Sequence, residues 1–198
     1  AGTHVLLEGY KNNEITNGIN TLVCELGSED ASYRPLKRQT IEVEEDDGTS
    51  PVRLIFGGTI RMVRERGWGM TADGQPEILL AVSADSYKTL ASRRFVTETF
   101  PGGTLKSALQ LLEPYLTAYG VSLDPAQVDG PTLDPIEWKV VRVDDALNFL
   151  ATLTAKYGAP FVWNIDYSKV LGMYQTGTVA APWNVDESDF TTTESTFG

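Results

Sequence analysis

Between Thr40 and Phe100 the chain alternates apolar-polar runs with tight-turn residues, a spacing that commits it to an antiparallel meander. In Thr40–Glu45, Ile41 and Val43 share one face and Glu42 and Glu44 the other. Asp46-Asp47-Gly48 then supplies a hairpin turn. Val52–Phe56 and Thr59–Arg64 read as strands on either side of Gly57-Gly58. A glycine pair inside a strand pattern points to a bulge, a bend or close backbone approach. A further strand, Glu77–Ser83, precedes Ala84-Asp85-Ser86-Tyr87 and a basic-apolar segment, Leu90–Phe100. None of these turns holds a nucleophile, a ligand cluster or a phosphate loop, so the region reads as built for assembly.

The flanking sequence extends this into an α+β fold. Val5–Tyr10 and Ile19–Leu26 read as strands, making residues 1–85 all-β. The character then changes. Thr104 caps a helix over Leu105–Tyr119, with Leu105, Ala108, Leu109, Leu112 and Leu116 on one stripe. Pro114 should kink or split that helix, and Gly120 ends it. Val121–Pro135 is a turn-rich loop and Ile136–Val141 a short strand. Asp144 or Asp145 caps a second helix that runs to Tyr157 and stops at Gly158. Phe161–Ile165 and Val170–Tyr174 form a hairpin. After Gly177 the pattern is lost. The expected division is residues 1–85, a β unit; 86–178, a smaller α/β unit; and 179–198, a linker or arm leading toward a further C-terminal part.

Composition narrows the chemistry. A net charge of −11 repels a phosphate backbone and argues against tight nucleic-acid binding. No apolar run approaches the roughly 18 residues of a membrane helix. Cys24 is the only cysteine and reads as a small buried apolar residue. His4 is the only histidine, too close to the start for a rigid triad, and one Cys with one His cannot make a zinc site. The acidic runs Glu44–Gly48 and Asp124–Asp134 lack the ligand spacing of a calcium loop. The expectation is therefore no catalytic residue, no cofactor and no metal. Charge is uneven: Arg34, Lys37, Arg38, Arg53, Arg61, Arg64 and Arg66 lie early, and acids dominate from Asp124 onward. Opposite signs on two regions suit packing between copies. Gly67-Trp68-Gly69 reads as a loop tip, and Arg61, Arg64, Arg66 and Trp68 are the candidate inter-subunit or partner contacts.

The order of features resembles a known family. Phe56-Gly57-Gly58-Thr59-Ile60, then Asp85-Ser86-Tyr87, Leu90-Ala91-Ser92-Arg93-Arg94-Phe95-Val96 and Gly102-Gly103-Thr104-Leu105 follow one another. A Trp-bearing strand, Asp145-Ala146-Leu147 and Phe161-Val162-Trp163-Asn164-Ile165-Asp166 complete the series. Together they are similar to the N-terminal part of the phage tail baseplate and tail-tip hub family, relatives of the hubs of contractile injection systems. The resemblance implies a tail-tube-like β-barrel followed by an α/β domain. It also implies a homotrimer or hexameric ring that caps the tail tube at the virion's tail tip after assembly in the host bacterial cytoplasm. Tail tube, distal tail protein, tape measure and spike or fibre proteins are the implied partners, with DNA only as passing cargo and no membrane. Under it, Glu42 and Glu44 are candidate lumen-facing or surface acids. Two rival classes stay open: a virion carbohydrate- or receptor-binding module using Trp68, and a cell-wall hydrolase relying on carboxylates.

Overall fold

The computed structural model describes residues 10–13, 19–28, 34–45, 53–70, 76–158 and 160–176. The expected strand Val5–Tyr10 lies outside them except for Tyr10, as do His4, the turn Asp46-Asp47-Gly48 and the arm after Gly177.

Five strands make the first sheet: β1 (Tyr10–Asn13), β2 (Thr21–Ser28), β3 (Thr40–Glu45), β4 (Arg53–Met70) and β5 (Pro76–Ser86). They lie in the order β1-β2-β5-β4-β3, every pair antiparallel. Gly57-Gly58 lies inside β4, which runs unbroken for 18 residues. Close backbone approach is what the glycine pair provides. A Cβ at Gly57 would lie 2.8 Å from the Tyr167 carbonyl oxygen, and one at Gly58 would strike the Asp85 carbonyl. Two bulges do interrupt the β4–β5 ladder, at Arg61 and Arg66. Each extra residue reverses the side-chain alternation. Ile60, Val63 and Glu65 therefore fall opposite Ala84, Val82 and Leu80 on one face despite their uneven spacing.

A short 3₁₀ turn (Tyr87–Arg93) follows, then β6 (Phe95–Phe100), β7 (Gly103–Thr104), α1 (Leu105–Leu112), α2 (Pro114–Thr117), β8 (Ser122–Leu123), β9 (Thr132–Leu133), β10 (Ile136–Arg142), α3 (Val143–Lys156), β11 (Phe161–Ile165) and β12 (Val170–Gln175). Thr104 caps α1 by accepting from the Ser107 amide at 3.3 Å. Pro114 splits the helix as expected and stands at the start of α2, where its missing N–H is harmless. Gly120 ends the segment with φ 77°. Asp144 and Asp145 sit in the first turn of α3 rather than at its cap, favourably placed against the helix dipole. The β11–β12 hairpin forms with the expected pairing, and β8 joins it in parallel.

Buried apolar residues form two clusters. One lies on the sheet and includes Leu22, Cys24, Leu26, Phe56, Ile60 and Val82. The other runs from Tyr87 to Met173 and packs α1 and α3 against β6, β10 and β11. They meet where the β11–β12 turn reaches the sheet. There Tyr167 lies against Phe56 with ring centroids 5.5 Å apart.

Candidate assembly surface

The register of the sheet decides which side chains face away from its core. Leu22–Ala84–Ile60 and Cys24–Val82–Val63 are core rows running across β2, β5 and β4. The alternate rows, on the opposite face, are Val23–Ser83–Met62, Glu25–Ala81–Arg64 and Gly27–Leu79–Gly67. The same alternation buries Cys24, as expected, and burial pushes its thiol pKa up to about 11.

The structure gives the candidate arginines separate settings. Arg61 reaches the Asp85 carboxylate at 3.4 Å and Ser83 Oγ at 3.5 Å. Arg66 pairs with Glu25 across the intervening strand at 3.0 Å. Arg64 is exposed and makes no ion pair among the described residues. The early cluster of bases is therefore not a uniformly basic surface. Of Arg61, Arg64 and Arg66, two are answered by acids of the same face, in pairs open to solvent that contribute little to stability.

Trp68 is not at a loop tip. The strand continues through it, and it pairs in register with Ile78, a buried core residue. Bulging at Arg66 lets β4 keep its ladder past two glycines that read as turn signals in the sequence.

Glu42 and Glu44 part company. Both are exposed on the edge strand β3, but the ladder shifts by one residue between Val43 and Glu44. Glu42 accepts a hydrogen bond from the buried Tyr87 hydroxyl at 3.2 Å. Glu44 makes no hydrogen bond or ion pair among the described residues. Sequence reasoning missed Tyr87 and Tyr167, which join the two clusters. Their only signal is aromatic character beside turn residues, a signal common to many surface positions.

Among the described residues no three His, Cys, Asp or Glu side chains come together in a way that could hold a metal ion. In the long acidic loop the Asp124 and Asp134 carboxylates are engaged by the loop's own backbone and by neighbours, Asp134 accepting from the Tyr157 hydroxyl at 3.1 Å. Asp124 accepts from the Ala126 amide and from the Tyr174 hydroxyl, at 2.8 and 2.9 Å.

Comparison with solved structures identifies proteins of like fold. The tail protein from Neisseria meningitidis MC58 matches with TM-score 0.53 at 14% identity, over 83% of this chain and 44% of its own. The E. coli c3393 protein, a component of the type VI secretion system with structural similarity to the T4 bacteriophage tail proteins gp27 and gp5, matches with TM-score 0.52 at 12% identity, over 87% of this chain and 49% of its own. The 43 kDa tail protein of prophage MuSo2 from Shewanella oneidensis matches with TM-score 0.48 at 17% identity, over 83% and 48%. No protein-family model matches the chain, and no curated protein matches it significantly. The chain spans less than half the length of these solved structures. The resemblance drawn from the sequence is thus met at the level of fold: this is an α+β chain with the fold of tail proteins.

Proposed function

We propose that the chain is a structural protein of a bacteriophage tail, acting as a hub or tip protein whose copies form a trimeric or hexameric ring. The ring caps the tail tube and joins it to baseplate, spike or fibres for host attachment and DNA delivery. The observation that carries this reading is the fold shared with the Neisseria and E. coli proteins over more than four-fifths of the chain.

The sheet supports it. β3 accompanies β4 only over Arg53–Thr59, and among the described residues no strand covers that edge from Arg61 to Met70. A long uncovered edge invites non-specific pairing unless something caps it. A neighbouring copy supplies that cap, and a head-to-tail contact that closes gives a ring. In this reading residues 1–85 are the tube-like barrel unit, 86–178 the α/β unit and 179–198 a connecting arm. Glu44 is the better candidate for a lumen acid that keeps DNA from sticking, because Glu42 is already engaged by Tyr87. The role is mechanical rather than enzymatic, at the tail tip of the virion. Tail tube, distal tail, tape-measure and spike or fibre proteins are its neighbours. No described helix is long and apolar enough to cross a membrane. Trp68, on which the rival binding-module reading rests, pairs with Ile78 within β4 and is not at a loop tip.

Native mass spectrometry with light scattering over a concentration series tests the proposal. A trimer or hexamer is expected. A strict monomer at every concentration, alone and with purified tail tube, sinks the ring.

A further inference from the structure

A basic turn stands where the uncovered edge of β4 begins. Arg34-Pro35-Leu36-Lys37-Arg38 holds three bases and no acid. The Arg38 amide donates to the Ile60 carbonyl and the Ile60 amide to the Gln39 carbonyl, both at 2.8 Å, which fixes the turn beside Arg61. It is closed twice: the Gln39 amide donates to the Leu36 carbonyl at 3.1 Å, and Gln39 Oε1 accepts from the Leu36 amide at 2.7 Å. Leu36 is 62% exposed at the tip. Lys37 and Arg38 are exposed and have no ionic partner among the described residues. Arg38 has φ 75°, a left-handed conformation that suits Gly or Asn and strains other residues. Strain kept at an exposed position points to a use for the side chain outside the fold.

A surface of opposite character lies in the α/β unit. Residues 121–138 carry Asp124, Asp129, Asp134 and Glu137 and no Lys, Arg or His. Asp124, Asp134 and Glu137 are engaged by Tyr174, Tyr157 and Lys139. Asp129 is exposed and its carboxylate meets no described base. Beside it Val128 is 58% exposed. The backbone here is held as firmly as that of the turn. Gln127 Nε2 donates to the Val128 carbonyl at 3.1 Å, and the Asp129 carbonyl accepts from the Lys106 amide at 3.1 Å. Two preformed surfaces lose little conformational entropy on meeting.

Leu36 and Val128 are both open to water in one copy, so turn and loop do not meet there. We propose that the turn of one copy seats on the loop of the next, with Leu36 against Val128 and with Lys37 and Arg38 against Asp129. The charges fix partner and register. Two different patches joined in this way repeat head to tail and can close a ring. The contact rests on the ring reading and names the surfaces that carry it.

Zero-length carbodiimide coupling of the full chain tests it. The reagent activates a carboxylate, and a touching lysine amine displaces the urea and forms an amide. Light- and heavy-nitrogen chains are mixed equally, unfolded and refolded together before coupling. Peptide mapping should find a Lys37–Asp129 amide, with mixed-label pairs as frequent as single-label ones. Arg38→Gly should lower its yield roughly threefold to fivefold. The same variant should unfold at an unchanged or higher urea concentration, because glycine adopts φ 75° freely. Asp129→Lys should abolish the amide, and adding Lys37→Asp should restore one between the same two positions. Native mass read on the same sample separates the two claims. An oligomer without this amide overturns the contact and leaves the ring standing, whereas a strict monomer without it overturns both. An amide found only in single-label pairs forms within one copy and also overturns the contact.

Discussion

The Tyr87 hydroxyl, on a side chain only 1% exposed, donates to Glu42 Oε1 at 3.2 Å while the Lys169 ammonium stands 4.8 Å over its ring. One side chain thereby ties the edge strand β3, the turn after β5 and the β11–β12 turn. Burial, and then the nearby Glu42 carboxylate, push its pKa up to about 12.

That shift has a signed consequence. The unfolded phenol titrates near ~10, so folding favours the protonated form. The stabilisation is complete below about pH 10 and is lost as pH rises toward the folded value of about 12. Urea stability should therefore fall between pH 10 and 12, and fall less steeply in Tyr87→Phe. Tyr174, also pushed up to about 12 by burial and by Asp124, adds a slope of the same sign that the variant retains. At neutral pH Tyr87→Phe should cost about 1 kcal/mol. Parallel pH profiles for the two proteins would refute the linkage.

Gly57→Ala probes the same junction from the sheet side. The new methyl would sit 2.8 Å from the Tyr167 carbonyl oxygen and 2.9 Å from the Tyr87 ring. One neighbour is backbone and the other is buried, so neither yields cheaply. A loss of about 1–3 kcal/mol is expected in chemical denaturation. Amide exchange should quicken in the Asp166–Lys169 turn before it changes in α1. Uniform quickening across the chain would mean that the two clusters do not meet independently at this point.

Two buried tryptophans offer a controlled comparison. Trp163 Nε1 donates to Asn148 Oδ1 at 2.7 Å, whereas Trp138 Nε1 is buried without a hydrogen-bond partner among the described residues. Both rings lie in the cluster around α3, and Trp138 also faces Phe100 at 6.5 Å. Trp→Phe removes similar volume at each site. At 163 it also strands the Asn148 amide oxygen, while at 138 it removes an unsatisfied donor. Trp163→Phe should be the more destabilising by about 1–2 kcal/mol. Equal losses, measured by guanidinium unfolding, would show that packing alone governs both sites.

These sites mark how far the sequence could be read. α1, the Pro114 break, the Gly120 stop, α3 and the β11–β12 hairpin follow from local rules and appear close to where those rules put them. β4 was harder. Gly67-Trp68-Gly69 carries turn chemistry, but a ladder to β5 that continues to Met70 overrides it. The bulges at Arg61 and Arg66 were illegible because inserted residues break the period-2 pattern by which strands are recognised. Val140, with φ 56°, is a β-branched residue in a left-handed bulge that no propensity would assign. The candidate surface was half legible. Buried Leu22, Cys24 and Leu26 imply that Val23 and Glu25 point outward, but only the ladder brings Met62, Ala81 and Leu79 beside them.

The last site completes a strand with a side chain. β8 pairs with β12 at Val170 and Leu171, and the Asp124 amide adds a bond to the Leu171 carbonyl at 2.8 Å. Beyond that the chain turns away, and Gln127 takes over the edge. Its Oε1 accepts from the Met173 amide at 2.7 Å and its Nε2 donates to the Met173 carbonyl at 2.9 Å, all buried. Gln127→Ala strands both backbone groups and should cost about 2–4 kcal/mol, with fast exchange of the Met173 amide. Gln127→Glu separates the two bonds. A carboxylate can still accept from Met173 N–H, but it opposes the Met173 and Val128 carbonyls to which Nε2 donates. Protonation restores one donor, so the folded state should raise the pKa of the new carboxyl. A raised pKa stabilises at low pH and is lost as pH climbs through the folded value. Relative to wild type, Gln127→Glu should therefore be least destabilised near pH 4 and approach the alanine variant by pH 8. A constant difference across that range would mean that the side chain fills space at this edge without serving as its hydrogen-bonding strand.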